Sequence, residues 1–151
     1  MNRFLGNLVI VVATAWAGAL WGIGYIAAPV LFKSLSDRQL AGMLAGHMFS
    51  VVAYVGIVCA LILLVHSLYS HGHTAFKRSI FWVVAVMLLL TLAGQFGLQP
   101  MIAEVKAQAL PLDVMHSAHS GQFKMLHGVA SVLYLVQSLL AIVLVLKIRN
   151  A

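Results

Sequence analysis

FLGNLVIVVATAWAGALWGIGYIAAPVLF, Phe4–Phe32, runs for 29 residues without an Asp, Glu, Lys or Arg. A helix rises about 1.5 Å per residue and needs roughly 20 apolar residues to cross the hydrocarbon core of a bilayer. The stretch is therefore long enough for one crossing. Arg3 ahead of it and Ala17-Gly18-Ala19 within it imitate a signal peptide and its cleavage site, but the apolar run continues to Phe32, too long for a signal core. It is expected to be a retained transmembrane helix.

Three further charge-free runs follow: Gln39–Phe76 (38 residues), Ser79–Ala103 (25) and Met125–Leu146 (22). The 38-residue run is too short for two crossings and a turn, and its end, His66–Phe76, is polar. Four transmembrane helices are expected, near Leu5–Phe32, Leu44–His66, Ile80–Gln99 and Phe123–Leu146. They form one domain over residues 1–151, an all-α integral membrane four-helix bundle. Composition agrees. The chain is 63% hydrophobic and 8% charged, with a mean hydropathy of +1.04. A soluble domain carries about 25% charged residues, so the lipid bilayer must cover much of this surface.

The net charge of +6 raises nucleic acid as a partner, and its distribution argues against one. Arg3, Lys77, Arg78, Lys147 and Arg149 fall on one side of a four-helix path. Lys33, Arg38, Lys106 and Lys124 fall on the other, together with Asp37, Glu104 and Asp113. The positive-inside rule then places both termini in the cytoplasm, in a cell inner membrane, with the basic clusters anchored at anionic headgroups. Cys59 is the sole cysteine, so no intrachain disulfide forms, and it reads as a small apolar filler.

Helix packing has its own signals. Gly18-xxx-Gly22, extended by Gly24 and Ala28, and Gly42-xxx-Gly46 are small-residue stripes that let helices approach closely. They are expected to join the first helix to the second. The alternatives are a homo-oligomer or a partner membrane protein. Gln95 and Gln99 lie four apart on the third helix, Tyr134, Gln137 and Ser138 on the fourth, and Thr91 on the third. In lipid these groups need partners, most simply across helices. Apart from Lys124 at the outer end of the fourth, no Asp, Glu, Lys or Arg lies inside an expected span, which counts against a proton-coupled transporter. Between the last two spans, Ile102, Val105 and Ala109 suggest a short interfacial helix ended by Pro111, with Asp113 capping the approach to the fourth span.

Candidate chemistry concentrates in DVMHSAHSGQFKMLHG, Asp113–Gly128. If the fourth helix begins near Val114, His116 and His127 are eleven residues apart, about three turns, and share a face. His119 lies nearby. His47 opens the second helix at the same level, and Met43–His47 and Met115–His119 are both i, i+4 pairs. Imidazole with thioether suits Cu(I). The candidate metal ligands are thus His47, His116, His119, His127, Met43 and Met115, with copper as the ion. Haem would need His47 facing His127, and a haem- or quinone-linked redox role is the third choice. The plainer reading is that these side chains meet headgroups and fill gaps. No HExxH, nucleophile elbow, acid pair or phosphate loop supports an enzyme.

Gly18–Leu35 (GALWGIGYIAAPVLFKSL), Ala41–Phe49 (AGMLAGHMF) and Phe123–Leu135 (FKMLHGVASVLYL) resemble the four-helix membrane proteins related to human transmembrane protein 205, a domain of unknown function in bacteria. The resemblance rests on Trp21, Gly22, Ala28-Pro29, Leu31-Phe32, Ala41-Gly42, Gly46, Phe49, Phe123 and His127. It implies an integral membrane protein without a set bacterial activity. The animal relatives are linked to handling of metal-based drugs and to secretory trafficking. Of the histidines only His127 falls on that pattern.

Overall fold

The computed structural model describes residues 3–110 and 113–149, with side chains from 5 to 110 and from 113 to 148. The described residues form four long helical passes and no strand. The first is α1 (Arg3–Trp21), a π-helical segment (Gly22–Ala27) and α2 (Ala28–Ser34). The second is α3 (Arg38–His71), which runs into a 3₁₀ turn, Gly72–Lys77. The third is α4 (Ser79–Leu92), a second π-helical segment (Ala93–Leu98) and α5 (Gln99–Ala109). The fourth is α6 (Ser120–Arg149). All four are long and apolar enough to span a membrane, and only 17% to 22% of the most apolar stretch of each is buried within the protein. In water so large an exposed apolar surface would drive association. The chain is a multi-pass membrane protein, and most of each helix is left for lipid to cover.

The expected spans all lie within observed helices, but the helices are longer. α3 starts six residues before Leu44 because Asp37 caps it. Its Oδ1 accepts from Gln39 N at 2.8 Å and Leu40 N at 3.0 Å. It ends at Gly72, whose φ of 52° is a conformation that glycine adopts without a steric penalty.

The separate interfacial helix after the third span does not form. Ile102, Val105 and Ala109 lie on α5, which continues the third pass, and all three are buried. Ile102 and Val105 pack with Leu126 of α6. Pro111 lies outside the described residues. Asp113 caps a 3₁₀ turn, Val114–His116, by accepting from Met115 N at 2.7 Å, and does not cap the fourth span. That span begins only at Ser120. The helical phase that would have put His116 and His127 on one face is therefore interrupted.

The two π-helical segments carry the same device. Ala28 N donates to Ile23 O and Gln99 N to Gly94 O, five residues back in both cases and one residue before Pro29 and Pro100. Proline lacks an N–H, and its ring crowds the carbonyl four residues earlier, that of Tyr25 or Phe96. A locally wider turn accommodates both defects without ending the helix.

The helices pack in a ring. α1 contacts α3 and α6, and α4 contacts the same two. Exchanging the first two passes for the last two maps these contacts onto one another. The aromatic pairs follow the exchange. Tyr25 meets Tyr134 edge-on at 6.3 Å, and Phe96 meets Tyr54 edge-on at 6.4 Å.

Trp16, Leu20, Met87 and Leu144 are the largest fully buried side chains. Trp16 reaches the backbone of α3 at Gly56, where an added Cβ would lie 2.6 Å from its Nε1. At Gly24 an added Cβ would lie 2.9 Å from Tyr134 Oη. These two glycines allow close approach, and of the small-residue stripes only Gly24 does so, toward the fourth pass and not the second. An added Cβ at Gly18, Gly22 or Gly46 meets nothing within 4 Å.

Candidate functional site

The half of the bundle containing α2, α5 and the start of α6 encloses a cleft of about 460 Å³ to which all four passes contribute. That volume lies in the usual range for small-molecule sites. Its rim is Phe32, Gly42, Lys106 and Phe123, and its floor is Leu20, Val52, Thr91 and Gln137. From Phe123 to Gln137 the helix rises roughly 21 Å, more than half of the roughly 30 Å hydrocarbon core.

Three local features create this space. Both π-helical segments border it, through Gly24 and Tyr25 on the first pass and Gly94, Gln95 and Leu98 on the third. The second pass turns Gly42, Ala45 and Gly46 toward it. The second glycine stripe therefore leaves volume open where close helix contact was expected. Finally, α2 packs against α3 and α5 against α6, and the exposed lining residues mark a lateral opening between the first and fourth passes. The lining residues Tyr25 and Phe32 on one side, and His127 and Ser131 on the other, are exposed there.

The floor is held by hydrogen bonds between passes. Gln137 Nε2 donates to Thr91 Oγ1 at 2.6 Å across passes, and Thr91 Oγ1 in turn donates to Met87 O of its own helix at 2.8 Å. Tyr134 Oη donates to Leu20 O at 2.6 Å, and Trp21 Nε1 donates to Ser138 O at 3.3 Å. Each such bond in a membrane is worth about 0.6 kcal/mol. The expectation of partners across helices is met for Gln137, Thr91 and Tyr134.

It is not met for Gln95 and Gln99 of the third pass. Among the described residues Gln95 and Gln99 make no side-chain hydrogen bond, and both face the cleft. Lys106, seven residues beyond Gln99 and so on nearly the same face, shares that wall. Its Nζ donates to Gly42 O at 3.4 Å and lies 5.8 Å from the centre of the Phe123 ring. The His127 ring stacks on the other partner in this group, Phe123, at 5.6 Å with 14° between planes. The one ion-pair contact among the described residues, His116 Nδ1 to Asp113 Oδ1 at 4.0 Å, does not involve Lys106. Lys33, Arg38 and Lys124 at the same end of the bundle are exposed, whereas Lys106 is half-buried.

Of the six residues expected from the sequence to form a metal site, only His127 lines the cleft. His47, Met43 and Met115 are exposed, His119 is half-buried, and the His116 side chain is 83% exposed. Among the described residues no three His, Cys, Asp or Glu side chains come together in a way that could hold a metal ion. The site residues that sequence reasoning missed are Lys106, placed there with the surface charges, and Gln95 and Gln99, read as helix-packing groups. The i, i+4, i+11 spacing of Gln95, Gln99 and Lys106 was the available signal.

Comparison with curated proteins and with solved structures finds no match to this chain. The sequence pattern described as Domain of unknown function (DUF4149) matches residues 11–111, more than half the chain, from the middle of α1 to just past the end of α5, and the chain belongs to that family.

Proposed function

We propose that the protein is a non-enzymatic membrane protein that binds a lipid-like amphiphile within the bilayer, through the cleft between its four passes. The observation that carries this reading is the pairing of a largely apolar, laterally open cleft with uncommitted polar groups along one wall, Gln95, Gln99 and Lys106. Polar side chains in a membrane interior ordinarily find protein partners, and those of the floor do so. A ligand that enters from the bilayer would supply partners for the rest. At about 30 Å³ for each water-sized group, the cleft has room for one chain of roughly fifteen such groups.

The test is chemical analysis of protein purified in a mild detergent and extracted with organic solvent. A stoichiometric amphiphile is expected from the wild type and not from Gly46→Leu, whose new side chain would occupy open space in the cleft. Equal recovery from both would remove the cleft as its site.

The distribution of basic residues supports cytoplasmic termini in an inner membrane, with the cleft opening toward the outer leaflet. The likeness to the proteins related to transmembrane protein 205 is part of the same proposal. A copper site at His47, His116, His119, His127, Met43 and Met115 has weaker support, because five of the six are exposed and only His127 borders the cleft.

A further inference from the structure

Resting on that reading, we infer that the cleft selects an anionic phospholipid, with Lys106 at the rim as the group that recognises the phosphate. Four observations lead there. First, Lys106 is half-buried while the neighbouring cations of that end, Lys33, Arg38 and Lys124, are exposed. Taking an ammonium partly out of water costs free energy unless a partner replaces the lost solvation.

Second, the direct contacts of Lys106 are weak and neutral, and the Asp113 carboxylate acts on it only from beyond ion-pair distance. The contacts are a carbonyl at 3.4 Å, near the limit for a hydrogen bond, and an aromatic ring at 5.8 Å. No carboxylate among the described residues pairs with it. An ammonium has three donors, so most of its capacity remains for an anion.

Third, the charge sits at the correct level. It is at the rim of the cleft, beside Phe32 and Phe123, and the apolar volume begins below it. An amphiphile that enters with its chain in the cleft brings its head to this cation. Gln99 lies about two turns deeper on the same wall, with its amide free to meet the ester carbonyls that join a phospholipid's chains to its head.

Fourth, the lateral opening between the first and fourth passes lets the lipid enter sideways and leaves room for a second chain outside. His127, flat against Phe123 on the fourth-pass side of this opening, forms its edge. Free inorganic phosphate would use only the rim and would leave the apolar cleft without a role, so the committed ligand is the lipid.

The test uses the full chain in nanodiscs or in dodecyl maltoside, with native mass spectrometry to count retained lipid. The probes are phosphatidylglycerol and phosphatidylcholine of the same chain length. The wild type should retain the anionic lipid about fivefold more than the neutral one. Lys106→Gln should abolish that preference, Lys106→Arg should restore most of it, and Lys33→Gln, outside the cleft, should leave it unchanged. Inorganic phosphate at millimolar concentration should not displace the lipid.

Equal retention of both lipids by the wild type, with both lost in Gly46→Leu, would overturn the anion inference and keep the cleft as a lipid site. Displacement by phosphate alone would replace it with a small-anion site. Retention of both lipids by Gly46→Leu would overturn this inference and the proposed function together. A monodisperse gel-filtration profile for each variant, measured first, separates these outcomes from misfolding.

Discussion

The Tyr134 hydroxyl donates 2.6 Å to the carbonyl of Leu20, just ahead of the π-helical segment Gly22–Ala27. A side chain inserted at the edge of the i→i−4 ladder is one of the recognised causes of a break in a helix. Here it joins the fourth pass to the first at the depth where the cleft begins. Its ring occupies the space that Gly24 leaves by lacking a Cβ.

Removing the hydroxyl alone should matter little. Tyr134→Phe is expected to cost about 0.6 kcal/mol. Gly24→Ala should cost about 1–3 kcal/mol, because the new methyl overlaps the ring. Tyr134→Leu in the Gly24→Ala background should recover part of that loss. Reversible unfolding in mixed detergent micelles measures all three, and strict additivity of the two substitutions would refute the contact.

The glycines divide into two classes by what surrounds them. Gly56→Ala is expected to lose about 1–3 kcal/mol, since its Cβ would meet Trp16. Gly18→Ala has open space and regular helical backbone, so it should be neutral or stabilising by up to ~1 kcal/mol. Thermal unfolding at two protein concentrations is the measurement. A concentration-dependent loss in Gly18→Ala would show that this stripe holds a second copy of the chain.

The Thr91–Gln137 pair predicts an asymmetry. Thr91→Val leaves the Gln137 amide without its partner and should cost about 1–3 kcal/mol. Gln137→Leu leaves the Thr91 hydroxyl still bonded to Met87 O, so the loss should stay under about 1 kcal/mol. Equal costs, measured in the same detergent unfolding series, would contradict the arrangement.

Metal content gives an independent check on the histidines. With five of the six expected ligands exposed, His116→Ala combined with His119→Ala should leave bound copper and zinc unchanged in elemental analysis of the purified protein. Loss of a stoichiometric ion in this variant would restore the metal reading.

Orientation follows from the basic residues and can be read by labelling in a Cys59→Ser background. His73→Cys, at the end of the bundle rich in Lys and Arg, should be protected from a membrane-impermeant thiol reagent added to intact cells. Gln108→Cys at the cleft end should react. The opposite pattern would turn the cleft toward the cytoplasm.

The number of passes and their approximate limits were legible in the sequence, because they depend on a local quantity. A run of some twenty residues without charge can settle only across lipid, whatever its neighbours do. The capping of α3 by Asp37 follows equally local chemistry, although the helix start was set too late. The phase of the fourth helix was lost for a related reason. A 3₁₀ turn at Val114–His116 interrupts it, and the turn depends on how the chain returns from α5.

The candidate site was legible only in fragments. His127, Gln95 and Gln99 stood out as polar groups in apolar helices. Their meaning depended on which helix faces meet across the bundle. The sequence by itself determined that this chain lives in a bilayer as four helices, since burial in lipid is a property of each segment alone. Tertiary structure alone decided that Gly24 and Gly56 carry the close contacts, that Gly42 and Gly46 leave a cleft, and that Lys106 stands at its rim with no carboxylate in ion-pair contact. Small residues and lone charges acquire their roles from what lies opposite them, and in this fold the opposite side belongs to residues scores of positions away.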